Sequence, residues 1–134
     1  MRSRSADLYT LAEASARFPA TPAAPTWRRW IKAGWAPAAH PARPLMVSLS
    51  DVAAARLLAG LKGRVSRLAW RATARLLKQL AAGRTPAQLR EALAGTCLYR
   101  SPRRRAWQLL SREAARIRVA TERGGRAIWL QERV

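Results

Sequence analysis

Apolar residues recur at spacings of three and four along the first third of the chain, a pattern that predicts short helices. The first helix is predicted over residues 11–18, with Thr10 and Glu13 forming a capping box at its start. Prolines at positions 19, 22 and 25 then interrupt the pattern, because a helix interior does not tolerate them. A second helix is predicted over residues 26–33, with Thr26 as its N-cap and Gly34 at its end. Two helices joined by a proline-rich turn are therefore expected.

The middle of the chain passes from a proline-rich stretch into two longer helical patterns. Residues 35–49 end in a β-prone piece, residues 45–49, which is typical of a wing or a small hairpin strand. A helix capped by Ser48 or Ser50 is predicted over residues 51–61, and a longer one over residues 64–82. Apolar residues at helical spacing predict the buried face of the longer helix: Val65, Leu68, Ala69, Ala72, Leu76 and Leu80.

The remaining helices are short and separated by turn residues. Gly63 marks a boundary between two parts of the chain. Thr85 and Pro86 begin a short helix, since threonine is a common N-cap and proline fits the first helical position. Residues 95–105 are predicted as a loop, and residues 106–115 as a further helix.

The C-terminal tail has the alternation of a strand rather than the spacing of a helix. Ile117 and Val119 alternate with arginines, and the glycine pair at positions 124 and 125 follows. Alternation on one side of such a turn, with a return segment after it, predicts a β-hairpin over residues 115–131.

The net charge of the chain predicts the class of partner that it binds. The 134 residues include 26 lysines and arginines against seven aspartates and glutamates, which gives a formal net charge of +19. All but Lys32, Lys62 and Lys78 of those basic residues are arginine, which pairs bidentately with phosphates and guanine edges. A GC-rich genome also enriches arginine, but it does not by itself explain why acids are so few. A polyanionic partner is expected, with nucleic acid first and an anionic membrane surface or acidic protein as alternatives.

Candidate chemistry is sparse. The single cysteine, Cys97, excludes an internal disulfide and a multi-cysteine zinc site within one chain, and His40 lies in a proline-rich run typical of a surface loop. The seven carboxylates form no recognisable acid–base pair or metal cluster, so neither an enzyme nor a cofactor is expected. There is no long apolar span and no signal-peptide pattern, so a cytoplasmic protein without membrane contact is expected.

Three motifs stand in order along the N-terminal half: YTLAEA at positions 9–14, WRRWIKAG at 27–34 and LSDV at 49–52. Together they resemble the DNA-binding domain of MerR-like proteins, in which such stretches open the first helix, form the recognition helix and begin the helix after the wing. The resemblance covers roughly residues 8–62 and implies a winged helix-turn-helix. It implies that Arg28, Arg29 and Lys32 enter the DNA major groove.

The predicted fold class is mainly α, with a winged helix-turn-helix over residues 1–62. A basic helical region with a C-terminal β-hairpin follows over residues 63–134, for dimerisation or for contact with a partner or nucleic acid. Backbone contacts are predicted from seven further arginines: Arg2 and Arg4 on the N-terminal arm, Arg43 near the wing, and Arg64, Arg67, Arg71 and Arg75 along the 64–82 helix.

The leading expectation is a sequence-specific double-stranded DNA-binding protein, a small transcriptional regulator that acts as a homodimer. One alternative is an antitoxin or a phage or plasmid factor whose C-terminal half binds an acidic protein partner. Another is a protein that binds structured RNA, since arginine-rich helices dock into folded RNA.

Overall fold

Six α-helices and a three-stranded antiparallel sheet make up the part of the chain, residues 7–134, that the computed structural model describes. The predicted arm contacts Arg2 and Arg4 lie outside the described residues. The elements in chain order are α1 (Leu11–Arg17), α2 (Ala24–Lys32), α3 (Leu49–Leu61), α4 (Arg67–Ala81), α5 (Pro86–Ala92), β1 (Thr96–Arg100), β2 (Trp107–Ser111), α6 (Arg112–Thr121) and β3 (Arg126–Trp129). The fold is thus helix-rich, but it contains a sheet where the sequence predicts a lone hairpin. No helix within residues 7–134 is long and apolar enough to cross a bilayer.

The first two helices lie close to their predicted positions. The capping box of α1 is confirmed, because Thr10 Oγ1 accepts from the Glu13 amide at 3.2 Å and the Glu13 carboxylate accepts from the Thr10 amide at 2.9 Å. The prediction that Thr26 caps α2 is wrong, since α2 begins two residues earlier with Ala23 at its N-cap. Pro25 therefore lies in the first turn, where the missing amide hydrogen has no helical partner to lose.

The strand predicted over residues 45–49 does not form. Two isolated bridges stand in its place, Tyr9 with Val47 and His40 with Met46. A proline at position 44 lacks an amide hydrogen, and the extended Ser48 already serves as the N-cap of α3, so no room remains for a longer ladder. The His40–Met46 bridge closes a loop that carries the exposed Arg43.

Helix α3 is anchored at its start by a buried carboxylate. Ser48 and Asp51 form a capping box, in which the Ser48 amide donates to Asp51 Oδ2 at 2.9 Å. The Ala39 amide donates to the same oxygen at 2.7 Å, which ties the proline-rich stretch to the helix. Burial raises the pKa of the Asp51 carboxyl above its ordinary value, and these hydrogen bonds oppose that rise.

Replacing Asp51 by alanine is expected to lower the free energy of unfolding by about 1–3 kcal/mol, because two amides lose their acceptor. Asp51→Asn keeps an acceptor oxygen and should cost less. Because the pKa of Asp51 is raised in the folded state, this carboxyl binds more protons in the native protein than in the unfolded chain, and its contribution to stability should fall as the pH rises from 3.8 through the raised pKa. Urea denaturation across the carboxyl titration range tests this. If the free energy of unfolding depends on pH in the same way for the wild type and for Asp51→Asn, the raised pKa of Asp51 is contradicted.

Helix α4 is shorter and differently oriented than predicted. It begins at Arg67 with Ser66 as N-cap, so Arg64 and Val65 precede it. Leu68, predicted to be buried, is 79 % exposed. The buried face consists of Ala69, Trp70, Thr73, Ala74, Leu77 and Ala81. Burial of Trp70 accounts for this orientation, because an indole removes far more apolar surface from water than any of the leucines predicted for the core.

The C-terminal predictions are wrong in three places. Strand β1 replaces the first half of the predicted loop, β2 replaces the start of the predicted helix, and α6 replaces the first half of the predicted hairpin. Ser111 accepts from the Ala114 amide and so begins α6, which buries only Ala115 of its own residues. The return segment does form a strand, β3, but it pairs with β1 in the sheet order β2-β1-β3.

The main core includes residues from both sides of Gly63. Trp27, Leu58, Trp70 and Leu98 belong to one buried cluster, which draws on α2, α3, α4 and β1. The opposite face of the sheet carries a second, smaller cluster of Cys97, Tyr99 and Ala115 beneath α6. The N-terminal helices are thus packed through α3 and α4 onto the sheet.

Candidate nucleic-acid interface

Helix α2 has one buried and one basic side. Trp27, Trp30 and Ile31 are buried, as the sequence predicts from their spacing. The opposite side is exposed and carries three cations: Arg28, Arg29 and Lys32. Two of these, Arg29 and Lys32, lie in the last turn, where the helix dipole favours positive charge. The helix therefore presents its cations to solvent from a rigid apolar base.

Three tryptophans connect the end of α2 to α4. The Trp70 ring meets Trp30 and Trp35 edge to face, with centroid distances of 5.1 and 5.4 Å. Trp70 Nε1 also donates to the Leu58 carbonyl at 2.8 Å. Trp30 and Trp70 are therefore core residues and not candidates for stacking against bases, whereas Trp35 remains half-buried directly after α2.

The cations of α4 lie beside the end of α2. The Arg71 guanidinium stands over the Trp35 ring at 5.4 Å from its centroid. Lys78 Nζ lies next to Gly34, at 3.4 Å from where a Cβ on that glycine would stand. Gly34 and Trp35 directly follow α2, so both helices contribute to one surface. This α2–α4 basic face consists of Arg28, Arg29, Lys32, Arg67, Arg71, Arg75 and Lys78, all exposed.

The α2–α4 basic face carries charge without compensation. Within the described segment, Arg118 and Glu122 form an ion pair at 3.2 Å, but no cation of this face forms one with an acid of that segment. Arg67, Arg71 and Arg75 follow one another at spacings of four on α4, and such like-charge pairs cost about 0.2–0.5 kcal/mol each. A bound polyanion would offset this repulsion.

The remaining predicted arginines lie elsewhere. Arg43 is exposed in the loop closed by His40 and Met46. Arg64, predicted on the helix with Arg67, precedes α4 and lines a cleft with three arginines of the sheet region, Arg100, Arg126 and Arg133. The sequence does not predict this group, because Arg100 is distant from Arg126 along the chain and the pairing of β1 with β3 places them opposite each other. The helical spacing of Lys78 predicts its place on the same face of α4 as Arg67, Arg71 and Arg75.

Two titratable side chains, Cys97 and Tyr99, are buried in the cluster beneath α6. The Cys97 thiol is buried, and burial raises its pKa, which keeps it protonated. Burial also raises the pKa of the Tyr99 phenol, and the nearby Glu122 raises it further. Among residues 7–134, no group of three or more histidines, cysteines, aspartates or glutamates is placed to hold a metal ion.

No protein-family model, no curated protein and no solved structure matches the chain. The likeness to MerR-like proteins stays a prediction based on three motifs, and the candidate interface rests on the residues themselves. Those residues are a helix with one basic side, joined through a tryptophan cluster to a second basic helix.

Proposed function

We propose that the protein is a sequence-specific double-stranded DNA-binding protein, a small transcriptional regulator that acts as a dimer in the cytoplasm. The observation that carries the proposal is the α2–α4 basic face, which comprises seven exposed cations, two of them (Arg71 and Lys78) beside the end of a helix anchored by buried tryptophans. Arg28, Arg29 and Lys32 would read base edges, and the α4 cations would contact phosphates. Arg43 would contact the backbone from its loop.

The dimensions of the two helices suit this arrangement. A helix with its side chains is about 10–12 Å across, and the major groove is about 12 Å wide, so α2 fits lengthwise. From Arg67 to Lys78 the α4 row extends about 16 Å at 1.5 Å per residue. Laid along the DNA axis, that length spans about five base-pair steps at 3.4 Å of rise per step. One helix would therefore supply specificity and the other affinity.

Selection from random duplex DNA at about 0.15 M salt, followed by sequencing of the bound fraction, tests the proposal. An enriched motif with two-fold symmetry supports a dimeric regulator, because symmetric dimers bind symmetric half-sites. Binding without enrichment contradicts sequence-specific recognition, and the charge would then serve RNA or an acidic protein.

Two arginines of the face are expected to behave differently. Arg29→Ala should reduce discrimination between the selected motif and random DNA by about 1–3 kcal/mol, as expected for a lost base contact. Arg71→Ala should weaken binding to both DNAs equally and reduce the slope of log K against log salt by about one, as expected for a lost phosphate contact. Fluorescence anisotropy over a salt series measures both.

Arg116→Ala, which removes an exposed arginine of α6 far from α2 in the chain, is the matched control and should change neither discrimination nor salt slope appreciably. If Arg29→Ala leaves discrimination intact, α2 is not the recognition helix. If Arg71→Ala and Arg116→Ala have equal effects, the α4 row makes no specific backbone contact.

A further inference from the structure

A cleft lined by arginines opens between the end of α3 and the sheet. Its volume is about 430 Å³, and four arginines line it: Arg64, Arg100, Arg126 and Arg133. Its other lining residues are apolar or glycine, so no acid stands in its wall. Small-molecule sites have volumes of about 300–1,000 Å³, but they are mostly apolar. A cleft of this size with four guanidinium groups is suited to an anion with several negative charges.

The strand register places two of these arginines directly opposite each other. Arg100 of β1 pairs with Arg126 of β3, so both side chains project from the same face of the sheet. Like charges at directly opposite positions destabilise a sheet, since their Cβ atoms lie about 4.5–5.5 Å apart. No acid of residues 7–134 forms an ion pair with either of them. An anion bound between the two guanidinium groups would remove this repulsion.

An aromatic side chain lies beside the two opposed arginines on the same face of the sheet. Trp107 of β2 pairs with Arg100 on its other side, lines the cleft and also packs against the main core. Cations stand over the rings of Trp35, Trp70 and Trp129, whereas none of the described residues places one over Trp107. A tryptophan supported by the core and bordered by arginines is suited to stack on a nucleobase.

We propose that this arginine cleft binds a nucleotide, with its phosphates on Arg64, Arg100, Arg126 and Arg133 and its base against Trp107. Two sources supply that chemistry: a free nucleotide, or an unpaired nucleotide within a DNA or RNA strand. This proposal is tested separately from duplex-DNA binding. Its experiment substitutes Arg126 and Trp107, whereas the experiment on duplex DNA substitutes Arg29 and Arg71. Either proposal can fail while the other stands.

The test measures the affinity of the full chain for three probes at about 0.15 M salt, where weak surface binding is partly screened. The probes are ATP, a labelled short oligothymidylate and tripolyphosphate, which carries phosphates without a base. Arg126→Gln should weaken all three about tenfold, the effect of losing one charge-assisted contact. Arg123→Gln, an exposed arginine in the turn before β3, removes the same charge outside the cleft and should change affinity less than about twofold.

A second pair of measurements separates the base from the phosphates. Trp107→Leu should weaken ATP and oligothymidylate about tenfold, while tripolyphosphate still binds as in the wild type, which also shows that the variant is folded. If ATP binds more tightly than oligothymidylate, the ligand is a free nucleotide. If oligothymidylate binds more tightly than ATP, the ligand is a nucleic-acid strand.

The stability of the unliganded protein provides an independent readout. Because Arg126 opposes Arg100, Arg126→Gln should melt no lower than the wild type without an anion and should gain less on addition of tripolyphosphate. Equal weakening by Arg126→Gln and Arg123→Gln overturns the proposal, since binding would then follow net charge alone. Equal weakening of all three probes by Trp107→Leu overturns the role of the base.

Discussion

Replacing Trp70 by alanine is expected to lower the free energy of unfolding by about 3–5 kcal/mol, as for other buried aromatic residues. Trp70 is 2 % exposed and packs edge to face against Trp30 and Trp35. Its removal leaves a cavity between α2, α3 and α4, and Lys62 loses the ring that lies 4.5 Å from its Nζ. Urea denaturation followed by circular dichroism measures the change through the transition midpoint and slope.

Two further variants show which part of Trp70 matters. Trp70→Phe keeps an aromatic ring but loses the Nε1 hydrogen bond to Leu58, and it should cost about 1–2 kcal/mol. The Leu58 carbonyl keeps the Lys62 amide as a donor, so no buried acceptor is left unpaired. Leu68→Ala, two residues away on the exposed side of α4, should change stability by less than about 0.5 kcal/mol. A larger effect from Leu68→Ala than from Trp70→Ala contradicts the described packing.

This contrast shows how far periodicity alone could predict α4. Its existence and its C-terminal end near Gly83 could be read from the sequence, because helical spacing and a terminating glycine are local signals. The side of α4 that is buried could not be predicted, because leucines and alanines occur on most sides of the helix. Apolar spacing alone also does not take into account that Trp70 is much larger than these residues. The helix turns the side with the tryptophan toward Trp30 and Trp35, which lie far away in the sequence.

The sheet could not be predicted from the sequence, for a different reason. Strand pairing joins residues as distant as Cys97 and Trp129, and no local pattern indicates which segments will pair. Alternation of Ile117 and Val119 with arginines indicated a strand, but the segment is helical and leaves both of these side chains exposed. The N-cap at Ser111 was a local signal for this helix that the alternation obscured.

The candidate site, like the fold, could be predicted from the sequence only in part. The basic side of α2 could be predicted because all its residues fall within one helical stretch, and the burial of Trp27, Trp30 and Ile31 is confirmed. The approach of Arg71 and Lys78 to the end of α2 depends on tertiary packing and could not be predicted. The arginine cleft depends on strand register, which places Arg100 opposite Arg126 although 26 positions separate them in the sequence.

Gly125→Ala is expected to destabilise the protein by about 1–3 kcal/mol, because the added methyl group would overlap the Tyr99 side chain. A Cβ at this position would stand 2.6 Å from Tyr99 Cζ and 2.9 Å from Cε1, with the hydroxyl oxygen closer still. Tyr99 cannot easily move away, since it is fully buried in the cluster beneath α6. Thermal and urea denaturation measure the loss. Gly95→Ala, where a Cβ meets nothing within 4 Å, is the control and should be nearly neutral.

A double-mutant cycle with Tyr99→Phe identifies the cause. The Tyr99 hydroxyl is buried without a hydrogen-bond partner among the described residues, so Tyr99→Phe alone should be neutral or slightly stabilising. It also removes the atom nearest to the new methyl group, so Gly125→Ala should cost less when combined with Tyr99→Phe, with a coupling energy of about 0.5–3 kcal/mol. Part of the cost should remain, because the ring carbons still must shift. Equal costs with and without Tyr99→Phe would mean that Gly125 is required for the backbone path into β3 and not for its contact with Tyr99.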